Sequence, residues 1–428
     1  QSYNSIINKE FMRQVLSSTN SGEAIAVGDA LRRAKCNLVA FSTDMSVNKL
    51  QYVLLGDPAL RLKTPDYRLV VEKFNGKSAD DTARVEAGGL VTVEGFIADR
   101  AGNEVKDFTG MLYTTLYDSA EEIVTRDNIG IGAYSYTAHE KVLFSGSDSV
   151  VSGRFSVKIP VPMDISYSND FGMLNIFAVD SACLRSAQGR YNNFIVGGTA
   201  QSVTNDGKGP EIKLYLNTPS FVSGDEVNAT PCLLAELHDV NGINTVGSGV
   251  GHDIVAIVDN DPKYTYNLNS SFVPVVGDYT TGKVVMPLDS LSAGEHTLLL
   301  RAWDLYNNSS VAQVSFYVEP TLAPDFISFA INPSPVVCGS PATFVVSHNR
   351  PQSEMEVTVD IFNLQGQLLW SKSENVVCDG SVYAMVWNGA LQGGQPLSTG
   401  VYLARAYIAS GGSLSSSRTV KFVVINNK

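Results

Sequence analysis

The first residues able to do chemistry form a cationic run around a thiol. Cys36 follows Arg32, Arg33 and Lys35, and neighbouring cations favour the thiolate, the nucleophilic form of cysteine. A cysteine nucleophile also needs a base within hydrogen-bond reach, and the first histidine in the chain is His139. Cys36 falls at the end of a helical pattern, where the helix dipole disfavours negative charge. Residues 1–64 therefore hold no self-sufficient catalytic pair. A second polar stretch, "HDVNGINTVGSGVGHDI" (238–254), places Asp239, Asn241 and Asn244 at spacings resembling a calcium loop. Its glycine at position 242 comes too early, and Val250 stands where a bidentate Glu would close the loop. A glycine-rich connection between strands, with side chains capping its turns, accounts for the same residues. Calcium held less regularly through Asp206, Asp239 or Asp253 is the alternative, and no other cofactor is expected.

Trp303, Trp370 and Trp387 would make a sugar-stacking platform if they stood in an exposed row. Trp370 and Trp387 lie in strand-like segments of one module, where a core aromatic is the simpler account. The five cysteines (Cys36, Cys183, Cys232, Cys338 and Cys378) make no CxxC pair, and an odd number leaves at least one unpaired. Cys338 in "VVCGS" and Cys378 in "VVCDG" either face each other across one sandwich or are two buried free thiols. No G-x-S-x-G, phosphate-loop or HExxH motif occurs.

The elements that must position these residues change character once along the chain. Residues 10–37 have helical spacing, with Ala24, Ile25, Val27, Ala30, Leu31 and Ala34 recurring at threes and fours. "FMRQVL" (11–16) reads as an earlier helix, and "LVAFS" (38–42) and "QYVLL" (51–55) as short strands. After Pro65 helical periodicity gives way to Val, Thr, Tyr and Phe alternating with polar residues between Gly, Asn and Asp turns, the texture of β-sandwiches. Four segments follow: 1–64, an α/β end-piece; 65–202 and 203–320, two sandwiches; and 321–428, a third. "IFAVD" (176–180) before "NFIVGG", and "LRAWD" (300–304) before "SFYVEP", close the first two sandwiches alike. Residues 1–64 are expected to pack on the first sandwich through Leu54, Leu55 and Leu60, or to fray.

With 428 residues, 44% apolar and 17% charged, the chain is globular. Its 43 acidic against 31 basic residues give a net charge of −12, which argues against nucleic acid. No apolar run approaches the ~18 residues of a membrane span. The start at Gln1, with neither Met nor signal peptide, reads as that of a truncated or processed product.

"GEAIAVGDALRRAK" followed by "LQYVLLGDPALRL" resembles the end of the gingipain-type, caspase-like cysteine peptidase domain, whose last strand carries Gly-Asp-Pro-(Ser/Ala)-Leu; here these are Gly56, Asp57, Pro58, Ala59 and Leu60. "NDGKGPEIKLYLN", "GHDIVAIVDN" and "LRAWDLYNNSS" are similar to the β-modules behind that domain in the surface peptidases, or sortases, of the Bacteroidetes type IX secretion system. "FNLQGQLLW" and "VWNGALQGGQPLSTGVYLARAY" resemble that system's C-terminal sandwich, with Trp387, Gly389, Gly394, Gly400, Val401 and Tyr402 on its W-x-G…G…G-V-Y pattern. Gly366 and the pair Gly393–Gly394 are read as positive-φ turns, and Gly400 as a tight entry into the strand 401–408.

The resemblance implies a mainly β fold, with tandem immunoglobulin-like sandwiches preceded by the α/β tail of a caspase-like domain. It implies a parent enzyme that works through a His–Cys dyad at the outer-membrane surface. That enzyme removes C-terminal signals from secreted cargo and passes the cargo to lipopolysaccharide. An outer-membrane β-barrel shuttle, other attachment-complex subunits and the cargo's C-terminal domains are its implied partners. Both dyad residues belong to motifs upstream of the closing helix, so this chain carries no catalytic residue, and the catalytic domain is expected before Gln1. The rival reading is a non-catalytic adhesin or glycan-binding sandwich array. It expects an exposed aromatic row on one module and gives residues 1–64 no role.

Overall fold

The computed structural model describes residues 2–17, 23–41, 48–128, 130, 132–201, 205–245, 251–410 and 415–425. Helix α1 spans Ser2–Val15, α2 Val27–Phe41 and the single turn α3 Asn48–Gln51. Ala30, Ala34 and Leu38 recur at every fourth position of α2 and are buried, since such residues share one helix face. Ile7 packs against Ala34 and Leu38, and Val15 against Ile25 and Ala30.

Two expected strands are corrected here. Residues 38–41 continue α2, because Leu38 prolongs the Ala30–Ala34 stripe; a run of four apolar residues carries no period of its own. Ser42 lies outside the described residues. In 51–55, Gln51 ends α3 and the rest makes no ladder. Strand-type pairing in this segment includes the isolated antiparallel bridge between Ala26 and Arg61. The expected docking through Leu54, Leu55 and Leu60 is also not seen: Leu55 is 93% and Leu60 55% exposed. The contacts reaching the first sandwich are polar instead, Lys63 Nζ donating to Leu184 O (2.5 Å) and the Asp66 amide to Ser186 O (2.9 Å).

The rest is mainly β. In the first sandwich a broad sheet runs in the order Val142–Val150, Gly110–Tyr117, Met173–Asp180, Ser186–Tyr191, Tyr67–Phe74, Leu90–Ala98 and Arg154–Pro160. A smaller sheet of Asp170–Phe171, Phe194–Thr199 and Ala83–Ala87 covers its inner face. Period-two alternation sends Val91, Val93 and Ile97 inward to Phe74, Phe155 and Phe194, each worth about 1.5–3 kcal/mol of burial. The second sandwich pairs four strands, Glu211–Leu216 to Phe272–Val275, with five, among them Gly294–Trp303 and Ser309–Val318. The third sets Phe326–Asn332, Ala342–His348 and Val382–Trp387 against a sheet containing Glu354–Phe362, Gly400–Ser410 and Ser416–Ile425. In all three the closing strand is joined in parallel by a short early one: Ala83–Ala87, Glu226–Val227 and Val336–Val337.

The echo between the first two closures has a physical basis in an aspartate. Asp180, at the end of "IFAVD", accepts the amides of Leu184 and Arg185 (2.9 and 3.1 Å). Asp304, at the end of "LRAWD", accepts those of Tyr306 and Asn308 (3.0 and 2.7 Å). Each buried carboxylate thus closes the loop that follows it. The likeness ends there. Gly294–Trp303 pairs directly with Ser309–Val318, whereas Met173–Asp180 pairs with Ser186–Tyr191 and Phe194–Thr199 crosses to the other sheet.

Candidate functional site

The Gly56–Leu60 turn sits over the start of α2. The first amides of any α-helix lack intrahelical acceptors. Here Val27 N donates to Leu60 O and Gly28 N to Pro58 O, both at 2.9 Å. Asp57 shapes the turn by accepting the Ala59 amide (2.8 Å). Gly56 holds φ +136°, while a Cβ on Gly28 would lie 2.6 Å from Pro58 Cβ. The motif is therefore a helix cap made by tertiary contact, and Gly28 is required by the close approach of Pro58. Arg61 adds a hydrogen bond to Ala24 O.

In the third sandwich the W-x-G…G…G-V-Y residues build the core at one end. Trp387 is 1% exposed, packs on Phe344, Trp370 and Phe422, and donates Nε1–H to Ala390 O (2.9 Å). Gly389 has φ +78°, and a Cβ there would lie 2.3 Å from Ser340 O. Tyr402 donates its hydroxyl to Ser398 O (2.9 Å), Val401 pairs with Val423, and Ala404 and Ala406 lie on the buried side with Tyr402. Gly366 and Gly394 take φ of +82°, but Gly393 and Gly400 do not enter the left-handed region. Gly400 instead begins its strand, where an added Cβ would lie 3.3 Å from the Tyr402 hydroxyl. Its role is room for that ring rather than a turn.

Of the three tryptophans, Trp387 and Trp370 are core aromatics, and Trp303 packs against the His252 ring, tilted at 45° with centroids 4.4 Å apart. Asp239 accepts the Asn241 amide (2.7 Å) in a turn where Gly242 holds φ +90°. Burial pushes the Asp239 carboxyl up to about 6, with the Asp304 and Asp206 charges adding to the rise and the Asn241 amide opposing it. Asp253 lies elsewhere, bonded to Asn269 Nδ2 (2.6 Å), and Asp206 turns back to the Lys208 amide (3.1 Å). The three aspartates considered for calcium are thus separately engaged, and Val250 lies outside the described residues. All five cysteines are free thiols; Cys338 Sγ contacts Leu397 O at 3.0 Å, and burial raises the Cys378 thiol.

Residues 1–63 match the sequence profile of peptidase family C25. Over 97% of its length the chain is similar, at 29% identity and a TM-score of 0.44, to dimeric latent PorU from Porphyromonas gingivalis, and it covers 39% of that chain. It thus spans well under half the length of that relative. Matches also extend to native E. coli alpha-2-macroglobulin (10% identity, TM-score 0.19, 84% of this chain and 32% of that one) and to the FN1–FN3 domains of chicken CNTN1 (9%, 0.19, 84% and 99%). No curated protein sequence matches the chain. Within the matched segment Cys36 is exposed on α2, and residues 1–63 contain no histidine. What the segment does show is the Gly56–Leu60 turn capping α2.

Sequence reasoning missed the buried pair His348 and Arg350, 0% and 1% exposed. Arg350 donates through Nη2 to Leu322 O and Ala323 O (both 3.1 Å) and through Nη1 to Asn349 O (3.2 Å). Burial, helped by the Arg350 charge, pushes the His348 imidazole down to about 4. A basic residue ending a strand as "SHNRP" was the available signal.

Proposed function

We propose that this chain is the C-terminal part of a cell-surface cysteine peptidase with sortase activity. Such an enzyme removes C-terminal signals from type IX secretion cargo and transfers the cargo to lipopolysaccharide. The C25 match of residues 1–63, with its Gly-Asp-Pro turn seated on α2, is the observation that carries the reading. In this proposal the catalytic His and Cys lie in the part of the C25 domain upstream of α1. The sandwiches hold the enzyme on the extracellular face of the outer membrane. The third, with its Trp387–Tyr402 core, binds an outer-membrane β-barrel shuttle and neighbouring attachment subunits. The rival array reading gains one observation, an exposed Tyr113–Phe177 pair on the first sandwich.

The test compares this chain with the native protein purified from its source. N-terminal sequencing should find native chain ahead of Gln1. The native form should cleave peptides in a thiol-dependent manner that survives Cys36→Ala, while the present chain should cleave none. A native protein that begins at Gln1, or turnover by this chain alone, overturns the reading.

A further inference from the structure

We propose that the outer face of the broad sheet in the first sandwich binds an anionic glycan. Tyr113 stands directly opposite Phe177 in the antiparallel ladder. Their rings lie 6.3 Å apart at 29°, and they are 47% and 40% exposed. Directly paired residues share a face of the sheet, so the register extends the patch: Phe177 is opposite Gln188, Asn175 opposite Arg190, and Arg68 beside Gln188 on the next strand. Gln188, Arg190 and Arg68 are exposed. The patch crosses four strands, a width of roughly 14 Å at the usual strand spacing, or about three sugar rings.

Charge selects the occupant. Lys73, Lys141, Arg154 and Arg185 of this sandwich form ion pairs; among the described residues Arg68 and Arg190 form none. The four strands that carry the patch, Gly110–Tyr117, Met173–Asp180, Ser186–Tyr191 and Tyr67–Phe74, contain two acids, Asp180 and Glu72. Asp180 is buried against Arg185, and Glu72 is held by Arg154 Nη1 (2.9 Å). A chain of net charge −12 therefore presents here two arginines without ion pairs beside an aromatic pair, the exposed carboxylate of these strands, Glu72, being neutralised by Arg154. Aromatic faces attract the electropositive C–H side of a sugar ring, amides pair with hydroxyls, and guanidinium groups fork onto carboxylate or phosphate. A nucleic acid also stacks on aromatics, but it needs a groove lined with cations, and two arginines do not make one. This site is independent of the peptidase assignment.

The probe is polygalacturonate, with neutral dextran as control, in affinity electrophoresis and calorimetry on the whole chain. Polygalacturonate should retard the chain at low salt and less at high salt, because exposed charges are screened. Tyr113→Ala with Phe177→Ala, and separately Arg68→Gln with Arg190→Gln, should each weaken binding about tenfold or more. Melting should be unchanged, since all four side chains are on the surface. Four outcomes overturn the proposal: no binding to polygalacturonate, binding unaffected by either double variant, tighter binding to oligo-dT, or a concentration-dependent dimer abolished by the Tyr113/Phe177 variant. The last would make the face a self-interface.

Discussion

The two junctions between sandwiches are built differently. The first and second sandwiches touch through side chains and loops far apart in sequence. Tyr306 donates its hydroxyl to Gly88 O (2.8 Å), Met163 N to Leu305 O (2.9 Å), Gly277 N to Ser147 O (3.0 Å) and Asn307 Nδ2 to Asp164 Oδ1 (3.2 Å). His252 Nδ1 lies 2.8 Å from Asp164 Oδ2, with Trp303 packed against the same imidazole. At the second junction the bonds run from linker to module. Glu319 N reaches Val227 O on one side, while Arg350 and Ser416 hold the carbonyls of Leu322, Ala323 and Pro324 on the other. Leu322 is thus held from both sides, its carbonyl by Arg350 and its amide by Glu319 O (3.0 Å), and the two bodies meet in the Glu319–Leu322 turn, where Thr321 N also donates to the Glu319 carboxylate (3.0 Å). Spread contacts fix an orientation; a clamped linker fixes only where the pivot lies.

The largest expected effect tests whether the third sandwich melts on its own. Trp387→Ala should cost about 3–5 kcal/mol, the usual range for emptying a buried aromatic site. Calorimetry should then show one transition falling sharply while the transition of the first two sandwiches stays in place. A common downward shift of every transition would mean that the second junction is as cooperative as the first.

Arg350→Met asks whether the clamp sets the pivot. It removes a buried cation, 1% exposed, and leaves the carbonyls of Leu322 and Ala323 without their donor, for a loss of about 2–3 kcal/mol. Limited proteolysis should gain a cut near Leu322–Pro324. An unchanged digest would move the pivot elsewhere.

Acidification should separate the bodies by sign. His348, held near 4 against an ordinary value of 6.5, binds fewer protons folded than unfolded in that interval. The third sandwich should therefore lose about 2 kcal/mol between pH 7 and pH 5. Asp239, held near 6 against 3.8, binds more protons folded. The second sandwich should gain about 1–2 kcal/mol over the same change. Asp239→Asn should raise its melting temperature at pH 7.5 and change little at pH 4.5. A calcium-dependent rise in the parent chain, absent in Asp239→Asn, would instead give that carboxylate a metal.

These contrasts mark what the sequence could convey. Alternation alone exposes the sandwiches, because a strand with one buried face writes its period into Val91, Val93 and Ile97 or into Phe422 and Val424. The Gly56–Leu60 motif was visible as letters, but its partner Gly28 was not, since a cap made by tertiary contact leaves no local spacing. Short apolar runs misled, because 38–42 and 51–55 are too brief to show a period. The His252–Asp164 contact spans 88 residues and became visible only when two modules were brought together.

The smallest expected effect bears on the first junction. Tyr306→Phe removes one hydroxyl and its bond to Gly88 O while keeping the ring, so it should cost about 0.5–1.5 kcal/mol. Because four other polar contacts span that junction, the loss should lower the shared transition slightly without splitting it. Spin labels on the first and second sandwiches should keep a narrow distance distribution, whereas labels on the second and third should be broad even in the parent chain. Adding Asp164→Ala removes the His252 and Asn307 contacts together, and neighbouring changes at one interface need not add. A cost for the double variant exceeding the two single costs combined, with a broadened first distribution, would show that the contacts act as one lock. If Tyr306→Phe alone splits the transition, the first junction is a single latch and the contrast with the second disappears.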